Sequence, residues 1–311
     1  MRLLNYIVKR LLQLIPIMLG VSFLTFGLMH ISPSDPATMK LSAQGIAVSQ
    51  EIIEKTRIDM GLDKPFIVQY LIWLKNFLLG DMGKSYVDHL PVIEKLMKAM
   101  PSTILLSASA MTVTLAISIP LGIIAAARQN KLSDYIIRCI TFIGISTPNF
   151  LLSLFLIYFF ALRLNWISVL PQETMTGLIL PTATLSIAMA SKYIRQVRAV
   201  VLEELKKDYV MGAQSRGVKG TVILYKNVLH NSMITIVTLI GLSIGSLLGG
   251  TVVVETIFQL PGLGKLAIDA IGVRDYPVVQ GFVVWMALIY VMVNLITDIS
   301  YWLLDPRTYS S

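Results

Sequence analysis

Six stretches free of Asp, Glu, Lys and Arg set what this chain can become: Leu11 to Ser34, Ser102 to Ala127, Cys139 to Leu162, Thr174 to Ser191, Asn227 to Val254 and Tyr276 to Thr297. A helix needs roughly 20 mostly apolar residues to cross the hydrocarbon layer of a bilayer. Five of the six reach that length, and the fourth has 18 residues and contains Pro181. Lys192 and Arg195 at its far end can extend toward the headgroups and let it span; the alternative is a re-entrant or interfacial segment. Only 14% of residues are charged, against about 25% in an average soluble domain, which argues against a water-soluble enzyme. The expected class is an all-α membrane protein with six transmembrane helices.

Arg2, Lys9 and Arg10 precede the first apolar run, as in a secretory signal. That run is too long for a signal core and no small-x-small cleavage site follows it, so it reads as a retained first span. The lone Cys139 excludes a disulfide framework and a thiolate zinc site. With three histidines in the chain, no metal site of its own is expected.

The basic residues give an orientation. Arg2, Lys9 and Arg10 lie before span one, Arg128, Lys131 and Arg138 between spans two and three, and Arg307 after span six. Between spans four and five lie Lys192, Arg195, Arg198, Lys206, Lys207, Arg216, Lys219 and Lys226. Opposite them, the short connections hold only Arg163, Lys265 and Arg274, a bias of fifteen to three. The long loop after span one exceeds the length over which charge controls insertion. Both termini are therefore expected in the cytoplasm. The net charge of +8 is spread over separate loops, which argues against a nucleic-acid partner.

Two loops are too long to be simple connectors. In the outer one, residues 35–101, Asp35 and Pro36 turn the chain out of span one. Ser49 is placed to cap a helix ended by Gly61, with Ile52, Thr56 and Met60 on one face. Asp63 and Pro65 open a second helix, whose Phe66, Tyr70, Trp73 and Phe77 form an aromatic stripe ended by Gly80. The stripe either packs on the outer ends of the spans or receives a delivery protein. A short amphipathic piece, Pro91 to Met100, is expected before span two.

In the inner loop, residues 192–226, Lys192, Arg195 and Arg198 at helical spacing prolong span four, and Glu203, Glu204, Lys206 and Lys207 read as a solvated turn. Asp208 can offer its carboxylate to the free N–H groups of a new helix. Tyr209, Ala213 and Arg216 fall on one side of that helix, and Gly217 sits where a left-handed cap would end it. A helix of about two turns is marginal alone, which points to a partner surface; a position flat on the membrane is disfavoured because its outer face is not apolar enough.

Together these residues resemble the B-type transmembrane subunits of ABC importers for dipeptides, oligopeptides and nickel. The similarity covers essentially the whole chain: Ile31-Ser32-Pro33-Ser34-Asp35-Pro36-Ala37 after span one, Gly61-Leu62-Asp63-Lys64-Pro65 with Gln69-Tyr70 and Trp73-Leu74, and Gly80-Asp81-Met82-Gly83-Lys84-Ser85. It continues through Thr147-Pro148-Asn149-Phe150, Glu255, Phe258, Pro261-Gly262-Leu263-Gly264, Arg274-Asp275-Tyr276-Pro277 with Gln280, and Leu304-Asp305-Pro306-Arg307. The cytoplasmic signature of the family falls on Met211-Gly212-Ala213 and Gly217, preceded by Asp208-Tyr209-Val210. Met211 replaces the acid of the general signature, and span five opens with Leu229-His230-Asn231-Ser232; no metal role is assigned to His230.

The resemblance implies a type I ABC importer permease: a first helix over residues 1–34, a structured extracytoplasmic loop over 35–101, a five-helix core over 102–304 and a cytoplasmic tail over 305–311. It also implies a coupling helix, carried by Asp208, Tyr209, Met211, Gly212, Ala213, Arg216 and Gly217, seated in one of two cytoplasmic ATPases. A homologous second permease subunit and an extracytoplasmic substrate-binding protein complete the expected assembly. No Gly-x-x-x-x-Gly-Lys-Ser/Thr run occurs in the chain, so ATP and Mg belong on the partner ATPases and the chain itself is not an enzyme.

Gly241, Gly245 and Gly249 recur every four residues in span five, a stripe that lets another helix approach closely, either within this chain or at the seam with the sister subunit. Polar residues within spans are candidates for the pathway or its gate, here Asn149, Glu255, Asn294 and Asp298. Asp298 also suits a structural cap, and Glu255 a hydrogen bond that fixes the adjoining loop. Among family substrates the motifs sit closest to nickel permeases, so nickel, free or chelated, is the expected solute, with di- or oligopeptides as the alternative. A self-contained secondary transporter would need inverted repeats and mid-membrane charges, neither of which stands out.

Overall fold

Charge-free runs become helices here, and prolines and glycines decide where they bend or stop. The structure, a computed structural model, describes residues 2–31, 35–43, 49–168 and 175–304; the side chains of residues 2–9, 42–43, 175, 234, 240, 242, 244, 246, 248–250 and 300–304 lie outside that description. Part of the turn after span one (residues 32–34) and the 305–311 tail therefore fall outside the described residues.

The elements are α1 (Arg2–Ile31), α2 (Pro36–Ala43), α3 (Gln50–Asp59), α4 (Phe66–Leu78), α5 (Val92–Ala127), α6 (Leu132–Ser146), α7 (Asn149–Leu156), α8 (Ile179–Glu204), α9 (Asp208–Ser215), α10 (Gly220–Val222), α11 (Leu229–Ile257), α12 (Leu263–Gly272) and α13 (Tyr276–Leu304). Helices α1, α5, α8 and α13 are long and apolar enough to cross a membrane, and the bent pair α6–α7 gives a fifth when its two helices are counted as one span. Helix α11 has 29 residues, with Glu255 its only charged side chain. Among the described residues there is no strand, only an isolated bridge between Lys84 and Pro91.

The first compact unit joins Met1–Ser102 to Pro261–Met292. Ser49 caps α3, accepting the Ile52 N–H at 3.4 Å, and Gly61 and Gly80 follow α3 and α4 at φ +69° and +89°. The Asp35 carboxylate bonds Thr38 (2.9 Å) and Arg57 (3.3 Å). Burial pushes that carboxyl up, but these bonds outweigh it and hold it below the usual aspartate value. The stripe Phe66, Tyr70 and Trp73 packs against Phe23 and Phe26 of α1. This is the packing alternative for the stripe. The piece from Pro91 to Met100 is not a separate helix: α5 runs from Val92 through Pro101 and Pro120 without interruption. Pro is tolerated in membrane helices because neighbours re-satisfy the freed backbone groups.

The second unit joins Thr103–Leu260 to Val293–Ser311. Its helices alternate in direction. Ser186 Oγ bonds Ala110 O at 3.2 Å while Gly122 lies against Val197 further along, so α5 and α8 are parallel. Asp134 meets Arg198 and Gly144 meets Ser191, so α6 is antiparallel to α8. A Cβ at Gly144 would lie 2.1 Å from Ser191 Oγ; only glycine allows that approach.

Span four is an unbroken 26-residue helix beyond a short 3-10 turn, with Pro181 in its first turn, where the missing N–H costs nothing. Span three departs from the sequence expectation. It begins at Leu132 and breaks at Thr147-Pro148, with α6 and α7 bent by 101°. The residue before proline is driven out of the helical region, and Thr147 is extended at φ −90°, ψ 118°. Beyond α7 the chain continues as a π-helical turn, Ile157–Arg163.

Candidate functional site

Helix α9 sits at the foot of the second unit. Val210 and Ala213 are buried in a cluster with Ile123 and Ala126 of α5, Val197 and Val201 of α8, Ile223 and Val228 just before α11, and Ile236 within it. Two turns of helix are too short to persist alone; this apolar seat holds them. The expectation that a partner must hold α9 is thus corrected for one face, because the chain itself covers it. The other face is open: Met211 is 56% exposed, and a Cβ at Gly212 would meet nothing within 4 Å.

The local geometry corrects three further expectations. Asp208 is the first helical residue, and Lys207 occupies the cap position without a side-chain bond. Ala213 points inward while Arg216, just past the helix, is exposed, so Tyr209, Ala213 and Arg216 do not share one environment. Glu204 is buried rather than solvated. It pairs with Lys207 and accepts the Tyr209 hydroxyl at 3.0 Å, tying the end of α8 to the start of α9. The Glu204 bond holds the Lys207 ammonium above its usual value, and burial first, then Glu204, raises the Tyr209 phenol. Gly217 has φ +74°, and its N–H bonds Gln214 O at 2.9 Å, which closes the helix as expected.

The residues proposed for a pathway occupy three elements. Asn149 is the first residue of α7, directly after the break, and its carbonyl accepts the Ser153 hydroxyl at 2.9 Å. Asn294 and Asp298 stand one turn apart on α13, both half-buried. Glu255 is fully buried near the end of α11, and Thr103 Oγ1 donates to it at 2.7 Å. Of the glycine stripe, Gly241 faces α13: a Cβ there would lie 1.9 Å from Thr297 Cγ2. That contact is the within-chain alternative. Gly245 lies one turn on, and the surroundings of Gly249 fall outside the described residues.

Two contacts escaped the sequence reading because each joins distant segments. In the second unit, Arg198 Nε and Nη2 clamp the fully buried Asp134 at 2.8 Å each. The available signal was an acid at the start of an otherwise apolar helix, four residues before Arg138. In the first unit, two motifs meet. Asp275 accepts the Ser85 hydroxyl at 2.5 Å and the Tyr86 N–H at 3.0 Å. Burial, reinforced by the Asp275 charge, pushes the Tyr86 phenol far up. Asp275→Ala is expected to lower stability by about 1–3 kcal/mol for each donor left buried without an acceptor. Ser85→Ala is expected to cost less, because the backbone bond of Tyr86 survives. Thermal unfolding of the purified protein measures the order of the two variants.

These features define a multi-helix membrane protein that presents a short surface helix. Residues 118–309 match the family described as "Binding-protein-dependent transport system inner membrane component", and residues 3–107 match its N-terminal component. The chain belongs to this family of ABC importer permeases. It is 37% identical over 304 residues to the glutathione transport system permease protein GsiC of Shigella flexneri serotype 5b, covering 98% of each chain. It is 39% identical over 307 residues to the nickel import system permease protein NikB of Staphylococcus aureus, covering 99% of this chain and 92% of that one.

Among solved structures, the inward-facing MetNI methionine ABC transporter matches with a TM-score of 0.58 at 15% identity, over 68% of this chain and 97% of that chain. The fold is accordingly that of type I ABC importer permeases, non-catalytic membrane subunits that work with ATPase and substrate-binding partners.

Proposed function

We propose that this chain is one half of a pseudo-symmetric permease pair that imports nickel, free or chelated, across the bacterial inner membrane. In this reading α9 and its cap, residues 208–217, form the coupling helix. The observation that carries the reading is the two-sidedness of α9: Val210 and Ala213 are locked into the ends of the membrane helices, while Met211 and Gly212 face outward unencumbered. A rigid inner seat lets motion of a partner at the outer face pass directly into α5, α8 and α11. ATP and Mg reside on the two ATPases, and this chain binds no cofactor. Both termini lie in the cytoplasm, in keeping with the fifteen-to-three bias of basic residues.

Nickel is favoured by the identity to the Staphylococcus permease over nearly the whole chain. A peptide such as glutathione is the second reading, supported by a relative of nearly equal identity. Uptake of radioactive nickel and of labelled glutathione, in cells with and without the gene, separates them. Loss of nickel uptake alone is expected on deletion; loss of glutathione uptake with nickel uptake intact would reverse the assignment.

A further inference from the structure

Helix α4 is apolar on more than the side it packs with. Its aromatic face rests on α1, yet Ile67, Leu71 and Leu78 on another side are 53%, 54% and 76% exposed. A helix apolar all round belongs in a protein interior or in lipid. Its depth along α1 decides which. The Tyr70 hydroxyl shares a 3.0 Å hydrogen bond with Ser22 Oγ and donates to Leu19 O at 3.3 Å. At a rise of about 1.5 Å per residue, Leu19 lies roughly 18 Å back from the α1 end at Ile31, in a hydrocarbon core about 30 Å thick. Phe23 and Phe26, the main ring partners of Phe66 and Tyr70, lie at intermediate depth.

We propose that α4 is embedded in the leaflet at the C-terminal end of α1, with its Ile67, Leu71 and Leu78 face against acyl chains. The segment 35–101 is then partly a membrane element rather than wholly an aqueous loop. The lipid-facing surface of α1 continues onto it, since Leu24, Leu28 and Ile31 are likewise exposed. At 13 residues, about 20 Å, α4 is too short to cross. Lys75, its only charged residue, has a stem long enough to reach the headgroups. The amide nitrogen of Gln69 is satisfied by Leu62 O and Lys64 O, at 3.2 and 2.7 Å. This inference is independent of the transported solute.

The test uses the assembled complex in its native membrane, with Cys139→Ala as background. Leu71→Cys and Leu78→Cys are expected to escape a membrane-impermeant maleimide that labels Lys55→Cys on α3. A nitroxide at either position is expected to relax with oxygen and not with chromium oxalate. Labelling at 71 and 78 equal to that at 55 overturns the proposal. So does a nitroxide shielded from both relaxants, which marks cover by the sister subunit or the binding protein. Ile67→Cys serves as a further position where one variant fails to assemble, and transport by each variant reports folding.

Discussion

Arg198→Leu is expected to destabilise the second compact unit by about 3–5 kcal/mol, the usual cost of removing one partner of a buried ion pair. Asp134 has no exposed surface, and its two oxygens are held by Arg198 Nε and Nη2, with the Asn130 N–H at 2.9 Å as a third donor. Without Arg198 a carboxylate is left in the interface between α6 and α8 with one backbone bond. Arg138 cannot replace the clamp as it stands, since its Nε lies 3.5 Å away and forms no hydrogen bond. The double variant Asp134→Leu, Arg198→Leu is expected to recover most of the loss, because a buried pair is worth little more than well-packed apolar side chains. Thermal unfolding of both variants in lipid nanodiscs tests this. A single-variant loss below about 1 kcal/mol, the range of exposed pairs, would mean that Arg138 or water takes over the site.

That clamp shows which parts of the molecule its sequence discloses. Spans are legible because exclusion of charge over some twenty residues is a physical requirement of lipid. Ser49, Gly61, Gly80 and Gly217 are legible because each answers a local need, a free N–H or a left-handed turn. The break at Pro148 was hidden inside an uncharged run. Charge counting sees its length and not its direction. The pairing of Asp134 with Arg198, 64 positions away, depends on α6 and α8 packing through Gly144 and Ser191, which no local pattern encodes. In α9 both three- and four-residue spacings fit a two-turn helix. The sequence reading therefore grouped Ala213 with Tyr209 and Arg216 on one side, and missed that Ala213 is buried together with Val210. The Ser85–Asp275 joint is an intermediate case: both motifs were recognised, and their meeting was not.

Val210→Asp is expected to abolish transport while leaving the chain inserted in the membrane. The side chain is almost completely buried among Val197, Val201, Ile223 and Ile123, where a carboxylate has no partner, and burying an unpaired charge is prohibitive. The cheaper outcome is for α9 to leave its seat. Released, eight residues cannot hold a helix by themselves, and the Glu204–Tyr209 bond at its base goes with it. The membrane helices keep their apolar contacts elsewhere, so insertion persists while stimulation of ATP hydrolysis by loaded binding protein is lost. Gly212→Trp separates a damaged seat from a blocked partner surface. The space beyond Gly212 is open in this chain, so its thermal stability is expected to stay unchanged while coupling fails. Normal coupling in Gly212→Trp would mean that the outward face of α9 touches no ATPase, and the role proposed for residues 208–217 would then pass to another part of the loop.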